Sequence, residues 1–445
     1  MRRERTIQAS IFDLFAGHGI GRELKAMSGW LDENPALAAL VAKDLRRLGV
    51  KETGRQGLPA ESVLRCALLK QYRQLGYEKL AFHLEDSASF RAFARLPLSW
   101  TPKKSVLHKT IGAIRAGTWE AINRTVLASA RSEKMETGGV IRIDSTVTAA
   151  LMHEPSDSSL LWDAVRVTVR LLKEADALLG GRLAWRDRRR AAKKRARAIQ
   201  FTRGRPRRVQ LYRELIGICR ATLTQLRQAE AQLANQSGPQ TMLWQAKASH
   251  YRPLIERIIG QSERRVLKGE QAPACEKLVS LFEAHADIIV KGSRDTSYGH
   301  KLNLVTGRSG LILDVVIEAG NPADSERLLP MLERHIAFFG QAPRQAAADG
   351  GFASRANLSQ AKAYGVRDMA FHKKCGLTIE DMVKSRWVYR KLRNFRAGIE
   401  ASISCLKRAY GLARCTWRGL EHFTAYVWSS VVAYNLALFT RLASA

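Results

Sequence analysis

Closely spaced cysteines are missing from this sequence. Its six cysteines are scattered along 445 residues, and no Cys-x-x-Cys motif occurs. Such spacing argues against a zinc ribbon and against the disulfide framework of a small secreted protein. The first residues, MRRERTIQASIF, have no apolar segment of the kind that a signal peptide requires. We therefore expect a protein of a reducing cytoplasm.

Long uninterrupted apolar runs are also missing. The longest apolar stretch, residues 423–439, contains Thr424, Ser429, Ser430 and Asn435. A membrane span needs about 20 predominantly apolar residues, and this stretch falls short of that. It predicts a buried C-terminal helix and no membrane partner.

Acidic residues are few relative to basic ones. The chain has 73 Lys and Arg against 41 Asp and Glu, a formal net charge of +32. A solvated surface does not need so large an excess, whose ordinary use is to neutralise a polyanion, most often nucleic acid. A ribosome-associated protein and a membrane-surface binder are the alternatives. The 46% hydrophobic and 26% charged composition is typical of a globular chain, and the length of 445 residues indicates two or three domains.

The periodicity of apolar residues divides the chain into three parts. Helical periodicity predicts an all-α N-terminal domain over residues 1–135, which either reads DNA through a helix-turn-helix or only packs. Strands and helices alternate in residues 136–154 and 285–445, with a hairpin over 301–317, which predicts an α/β core with a mixed sheet. Residues 155–284 return to helix and form a basic insert within that core.

The insert contains the most basic segment of the chain. Residues 182–208 hold 13 Lys or Arg, including Arg189 and Arg190, against one acid, Asp187. Such a run is either a solvated, flexible surface or an arm that lies along phosphates. Two aromatic residues, Trp185 and Phe201, favour the arm.

Two aspartates occupy matched positions after apolar runs. Asp144 follows VIRI and Asp349 follows AAA, so we expect each at the end of a buried strand. A carboxylate there must be solvated, hydrogen-bonded or bound to a metal, because burying it bare is costly. Taken alone, each aspartate is better explained as a turn or cap residue.

Glu400 has an unusual setting. Residues 384–418 hold ten Lys or Arg and this one acid, on a predicted helix over 384–410. Arg393, Arg396, Glu400 and Lys407 fall on roughly one face of that helix. One explanation is an i, i+4 salt bridge from Arg396 to Glu400, which contributes only a few tenths of a kcal/mol. The other is a metal carboxylate beside basic residues that hold DNA.

The three acids together suggest one chemistry. Two hard cations about 3.5–4 Å apart, as used for in-line displacement at phosphorus, need several carboxylate oxygens around them. Two aspartates at the ends of adjacent strands and one glutamate on a covering helix would provide them.

The acidic motifs resemble the DDE motif of insertion-sequence transposases. The similar segments are IRIDSTV at Asp144, ADGGFAS at Asp349, and R-x-x-x-E-x-x-x-x-x-x-K at Arg396, Glu400 and Lys407. The segments YGHKLNLVTGRSGLI and NPADSERLLPML are similar to the core of that family. The N-terminal PAESVLRCALLKQYRQLGYEKLAFHLEDSASFRAF resembles the helical domain of the "insertion sequence four" and "five" groups, and the whole chain is similar to the ISNCY set.

The resemblance implies a ribonuclease H-like core and two Mg²⁺ ions, for which Mn²⁺ can substitute. It implies a homodimer acting on double-stranded DNA, both transposon ends and target, in the bacterial cytoplasm and at the nucleoid. Asp144, Asp349 and Glu400 are then the catalytic residues and metal ligands. The residues expected to bind nucleic acid on the helix that carries Glu400 are Lys391, Arg393, Arg396, Lys407 and Arg408.

The expected function is that of a transposase, which binds transposon ends and catalyses metal-dependent DNA strand cleavage and strand transfer. Two alternatives stay open: a DNA-binding repressor or decayed element without catalysis, and a related nuclease that cuts without joining. If the three carboxylates converge in the structure, the first alternative is disfavoured, because a protein that only binds DNA has no reason to gather them.

Overall fold

The computed structural model describes residues 17–49, 57–97, 99–291, 295–372 and 375–444. The N-terminal segment in which the sequence indicates no signal peptide lies outside the described residues. The chain divides into two compact units, the first made of residues 1–149 and 300–445 and the second of residues 150–299. The predicted insert, 155–284, lies within the second unit.

The first unit begins with helices, as the periodicity predicted. They are α1 Gly19–Glu33, α2 Ala36–Arg46, α3 Ala60–Tyr72, α4 Tyr77–Asp86, α5 Ala88–Phe93, α6 Lys104–Ile111 and α7 Ala116–Ser132. The α3 helix is almost wholly buried. Its Arg65 is accommodated by ion pairs with Asp32 at 2.6 Å and Glu61 at 2.9 Å, since a buried charge is tolerated only when paired. Strand β1, Val140–Ala149, follows α7.

The second unit is a helical bundle with its own core. Its long helices are α8 Asp157–Leu178, α9 Arg189–Phe201, α10 Arg205–Leu233 and α11 Pro239–Ser262, and a π-helical turn at Glu263–Leu267 and a 3₁₀ turn at Ala274–Glu276 follow. The α8 helix begins where the Ser156 hydroxyl accepts a hydrogen bond from the Ser159 amide. Strand β2, Asp287–Lys291, pairs antiparallel with the start of β3, Asp295–Gly307. The boundary between the units falls within β3.

The rest of the first unit alternates strands and helices. Its elements are β4 Ile312–Ile317, a 3₁₀ turn Asp324–Glu326, α12 Leu328–Phe339, β5 Gln345–Ala348, a 3₁₀ turn Gly350–Phe352, α13 Arg355–Ala363, β6 Asp368–Phe371, α14 Ile379–Met382, α15 Arg386–Ala409 and α16 Leu420–Ala443. The strands of this unit are ordered β4-β3-β1-β5-β6, with β3 and β4 antiparallel and β1, β5 and β6 parallel. The mixed α/β fold, the hairpin and the long basic helix are therefore as predicted.

Strand β1 differs from its prediction. We expected the strand to end at Asp144, but it continues to Ala149, so Asp144 lies in its middle. The extension has a physical reason, because Thr146, Val147 and Thr148 are β-branched and favour the extended chain. Pairing with β5 nevertheless stops at Ile143, which leaves Asp144 just beyond the paired segment.

The C-terminal helix α16 is buried, as its apolar composition predicted. Its polar residues have partners inside the core: the Asn435 amide donates to Asn123 Oδ1 and to the Ile312 carbonyl, each at 2.7 Å. The Ser430 hydroxyl accepts a hydrogen bond from Gln71 at 2.7 Å. Across the described parts of the chain, no helix combines the length and the apolar character that a membrane crossing requires.

Lys70 of α3 predicts a pH-dependent contribution to stability. Its ammonium lies 5.0, 5.5 and 6.0 Å from the ring centres of Tyr77, Trp417 and Tyr426, and burial lowers its pKa to about 8. The folded pKa is below the unfolded one, so the unfolded chain binds more protons above pH 8 and stability rises with pH there. From pH 7.5 to pH 9.5, the free energy of unfolding measured in urea should rise by about 1–2 kcal/mol more for the wild type than for Lys70→Met. An identical pH profile for the two proteins would contradict this.

Candidate functional site

The sheet places the two aspartates side by side. Strands β1 and β5 are parallel, and the last pair in their register is Ile143 with Ala348. Asp144 and Asp349 are the next residue on each strand. The side chain of Asp144 is 13% exposed and that of Asp349 is 41% exposed, so at this end of the parallel strands Asp144 is nearly buried and Asp349 is open to solvent.

Helix α15 lies over β1, and Arg142 of the strand docks it there. The buried Arg142 guanidinium donates to the Phe395 carbonyl at 2.9 Å and to the Thr306 hydroxyl at 2.7 Å. It also stacks on the Phe395 ring, 4.7 Å from its centre. A Cβ atom at Gly398 would lie 2.0 Å from Arg142 Nη1, so only glycine allows this approach. These contacts set the position of Glu400 relative to Asp144.

A single guanidinium, that of Arg396, contacts all three acids. Its Nη2 lies 3.0 Å from Oδ2 of Asp144 and 3.7 Å from Oδ1 of Asp349. Its Nη1 lies 3.0 Å from Oε1 of Glu400, which is the i, i+4 salt bridge that the sequence allows. Two oxygens at 3.0 Å and 3.7 Å from the same nitrogen are no more than 6.7 Å from each other. The structure therefore brings Asp144, Asp349 and Glu400 around one cation.

The donor chemistry of this cluster fits a hard divalent ion, although its arrangement is that of an ion-pair network. Carboxylate oxygens are the ligands that Mg²⁺ prefers. Within the described ranges, no three His, Cys, Asp or Glu side chains are close enough together to hold a metal ion. The Arg396 guanidinium, whose side chain is 11% exposed, lies among the acids instead. A metal ion and Arg396 would compete for the same oxygens.

Sequence reasoning missed a second ion pair beside the aspartates. Asp324 lies 3.5 Å from the Ser145 hydroxyl, and a Cβ atom at Gly351 would lie 2.9 Å from its Oδ2. The buried Lys301 ammonium lies 2.6 Å from Asp324 Oδ1. Asp324 thus contacts the residue after Asp144 and the loop after Asp349. Both members lie in segments that resembled the family core, but no spacing rule links them.

The remaining cations predicted on α15 mostly face solvent. Lys391, Arg393 and Arg408 are exposed, and Lys407 is half-buried. The Lys391 ammonium lies 5.0 Å from the ring centre of Trp387, which is 63% exposed. The arrangement is compatible with phosphate contacts, which stay a prediction.

The basic segment of the second unit is largely helical. Residues Ala192, Ala196 and Ile199 of α9 are buried in the core of this unit. Arg189, at the start of α9, forms hydrogen bonds with Asp187, the shortest at 2.6 Å, and they lower the pKa of that carboxyl. Arg190 is exposed. The segment is therefore not a simple flexible loop, and its contact with DNA stays a prediction.

Gly398→Ala should destabilise the first unit. The added methyl group displaces Arg142 from the Phe395 carbonyl, and overpacking of this kind typically costs about 1–3 kcal/mol. Urea unfolding should show that loss. Gly117→Ala is the matched control, because a Cβ atom there meets nothing within 4 Å. Equal stability of the two variants would mean that Arg142 does not dock α15.

Comparisons with known proteins give two matches. Residues 289–436 match the family model described as "Transposase DDE domain", a range that includes Asp349 and Glu400 but not Asp144. Residues 17–115 match the one described as "Transposase domain (DUF772)". Neither a curated protein nor a solved structure matches the chain.

Proposed function

We propose, for a chain that belongs to the DDE transposases of insertion sequences, that Asp144, Asp349 and Glu400 are its catalytic metal ligands. The reaction is cleavage of DNA at transposon ends followed by strand transfer to target DNA. One observation carries the proposal: three acids that are distant in sequence surround the single Arg396 guanidinium. Acids that repel one another are gathered for function more readily than for stability.

The core that holds these acids is proposed to be ribonuclease H-like. The mixed sheet, with β3 and β4 antiparallel and β1, β5 and β6 parallel, supports this assignment. So do the positions of Asp144 and Asp349 on neighbouring parallel strands and of Glu400 on the helix that covers them. The DNA-binding role of the N-terminal helices rests on the match over residues 17–115.

In the mechanism, the three carboxylates bind the ions and the basic residues bind the DNA. When bound, two Mg²⁺ ions, or Mn²⁺ in their place, would supply an activated oxygen nucleophile and charge stabilisation at phosphorus. Asp144 and Asp349 follow the last paired residues of adjacent strands, so they are the two carboxylates that would share a metal ion, with Glu400 as the third ligand. Arg396 lies beside these acids, where its guanidinium would hold a phosphate next to the scissile bond. No protein side chain is needed as the nucleophile.

The assay that tests this function uses two DNA substrates with the full-length protein. Intact transposon-end duplex reports cleavage, and a precut end with a free 3′-OH reports joining to a target plasmid. A transposase cuts the first and joins the second in Mg²⁺. Cleavage without joining would identify a nuclease, and binding without either reaction would identify a repressor. We expect a homodimer to pair two ends in the active complex.

The basic segment of residues 182–208 should contribute affinity for any duplex rather than sequence choice. When binding depends on phosphate contacts, the logarithm of the binding constant falls linearly with the logarithm of the salt concentration. The slope is about −0.9 for each neutralised phosphate of duplex DNA. Neutralising Arg188, Arg189, Arg190, Lys193, Lys194 and Arg195 together should weaken binding to end and random DNA about equally and flatten that slope. Binding measured from low to moderate salt tests this. An unchanged slope would show that the segment does not touch DNA.

A further inference from the structure

The second unit contains a cavity that the proposed cleavage chemistry does not use. It has a volume of about 840 Å³ and lies between α8 and the start of α9, and we call it the insert cleft. One wall is a stripe of α8 formed by Trp162, Arg166, Arg170 and Lys173. These residues are spaced four, four and three apart, so they share one face of the helix. The opposite face of α8 is buried in the core of the unit.

The insert cleft is strongly cationic. Arg189, Arg190 and Lys193 line it from the α9 side, opposite the three cations of α8, and Asp187 is the one acid in the lining. Asp187 is bound by Arg189, and Arg166 lies 3.3 Å from Asp163. Among the residues that the structure describes, Arg170, Arg190 and Lys193 have no carboxylate partner. These cations are available for phosphate groups.

Two aromatic rings distinguish the insert cleft from an ordinary basic surface. Trp162 and Phe282 both line the cavity and are only partly buried. The Arg166 guanidinium lies 5.8 Å from the centre of the Phe282 ring. Cations that follow a backbone and aromatic rings on which bases stack are the two components of single-strand binding sites. A volume of 840 Å³ is also within the range of sites that enclose a small organic ligand such as a nucleotide.

We infer that the insert cleft binds unpaired, single-stranded DNA, with phosphates on its two rows of cations and base faces against Trp162 and Phe282. Duplex DNA does not explain the rings, because its base faces are already stacked on one another inside the helix. The inference rests on the proposed action on DNA, in which cleavage and joining expose strand ends. It assigns the second unit a ligand of its own, single-stranded DNA, at a site separate from the three carboxylates.

The test compares single-stranded and duplex DNA in EDTA, where cleavage cannot occur. Fluorescence anisotropy of a labelled oligo-dT should show about tenfold weaker binding for Trp162→Leu and for Phe282→Leu, the size of one lost stacking contact. Binding of a labelled blunt duplex should change less than about twofold. Leu243→Ala is the control, because Leu243 is a 60% exposed apolar side chain of α11 in the same unit and does not line the cavity. It should leave both affinities unchanged.

The cations have a matched control of their own. Arg170→Gln with Lys173→Gln should weaken oligo-dT binding more than Lys194→Gln with Arg197→Gln, whose side chains are exposed on α9 outside the cleft. Equal effects of the two pairs would overturn the cleft as the site. So would aromatic variants that weaken single-stranded and duplex DNA to the same degree, or that weaken neither.

A measurement on the unmutated protein covers the case in which a ring variant fails to fold. Oligo-dT carrying 5-iodouracil should crosslink on irradiation to the peptide that contains Trp162 or to the one that contains Phe282. Crosslinks confined to other peptides would overturn the inference. Asp144→Asn should bind oligo-dT like the wild type while losing cleavage, so failure of the insert cleft and failure of the proposed catalytic site give different results.

Discussion

The Glu400→Gln protein should bind transposon-end DNA with nearly wild-type affinity and lose strand cleavage in Mg²⁺ by at least about a hundredfold, the effect of removing one preorganised electrostatic group. The substitution keeps the shape of the side chain and removes the charge that a metal ion requires. Glu400 is 63% exposed, so its loss should not unfold the protein. Removing a negative charge from a basic helix should not weaken its hold on phosphate either.

The control for this experiment is Glu421→Gln. The side chain of Glu421 is 65% exposed and also pairs with an arginine, Arg115, at 3.4 Å. It should cut DNA at the wild-type rate, measured on the same end substrate. If Glu400→Gln cleaves DNA at the wild-type rate, Glu400 is not a metal ligand. Its salt bridge with Arg396 would then be the whole explanation of its position.

The second large effect concerns Arg396. Its guanidinium offsets the repulsion among three carboxylates, two of them 13% and 41% exposed, and breaking a largely buried ion pair is costly. Arg396→Gln should therefore unfold in EDTA about 2 kcal/mol more easily than the wild type, an estimate reduced for the partial exposure of the acids. Mg²⁺ should restore more stability to the variant than to the wild type, because the ion no longer competes with an internal cation.

Thermal unfolding with EDTA and with Mg²⁺ measures this difference. Arg393→Gln is the matched control, since Arg393 is an exposed cation of the same helix. It should respond to Mg²⁺ like the wild type. If Mg²⁺ shifts the melting temperatures of Arg396→Gln and the wild type equally, Arg396 does not compete with metal for these acids.

The elements that were predictable from sequence carry their signal in local patterns. The β3–β4 hairpin, the buried helix α16 and the basic helix α15 follow from periodicity and turn residues, because neighbours along the chain decide them. On α12, however, the buried face consists of Leu328, Met331, Leu332, His335 and Phe339. From the sequence alone, Leu328, Leu329, Leu332 and Ile336 indicate the apolar side of this helix. The buried face is rotated from that side, and His335, hydrogen-bonded to the Gly138 carbonyl at 3.0 Å, lies within it.

The contacts that position the site were not predictable, because they join distant segments. Nothing local about Arg142 says that it will bond the Phe395 carbonyl, and nothing about Gly398 says that a guanidinium will fill the space of its side chain. The ion pair between Lys301 and Asp324 depends in the same way on how two strands and a turn meet. Asp144 was recognised by its motif, although its position within the strand was wrong.

The most direct measurement of the central claim is Mn²⁺ binding by the protein on a precut transposon end. Calorimetry on the wild type should show two ions per chain, as two-metal phosphoryl transfer requires. Asp144→Asn, Asp349→Asn and Glu400→Gln should each weaken or abolish that binding, while Glu421→Gln leaves it unchanged. Wild-type affinity and stoichiometry in all three acid variants would contradict the claim that these carboxylates form one metal site.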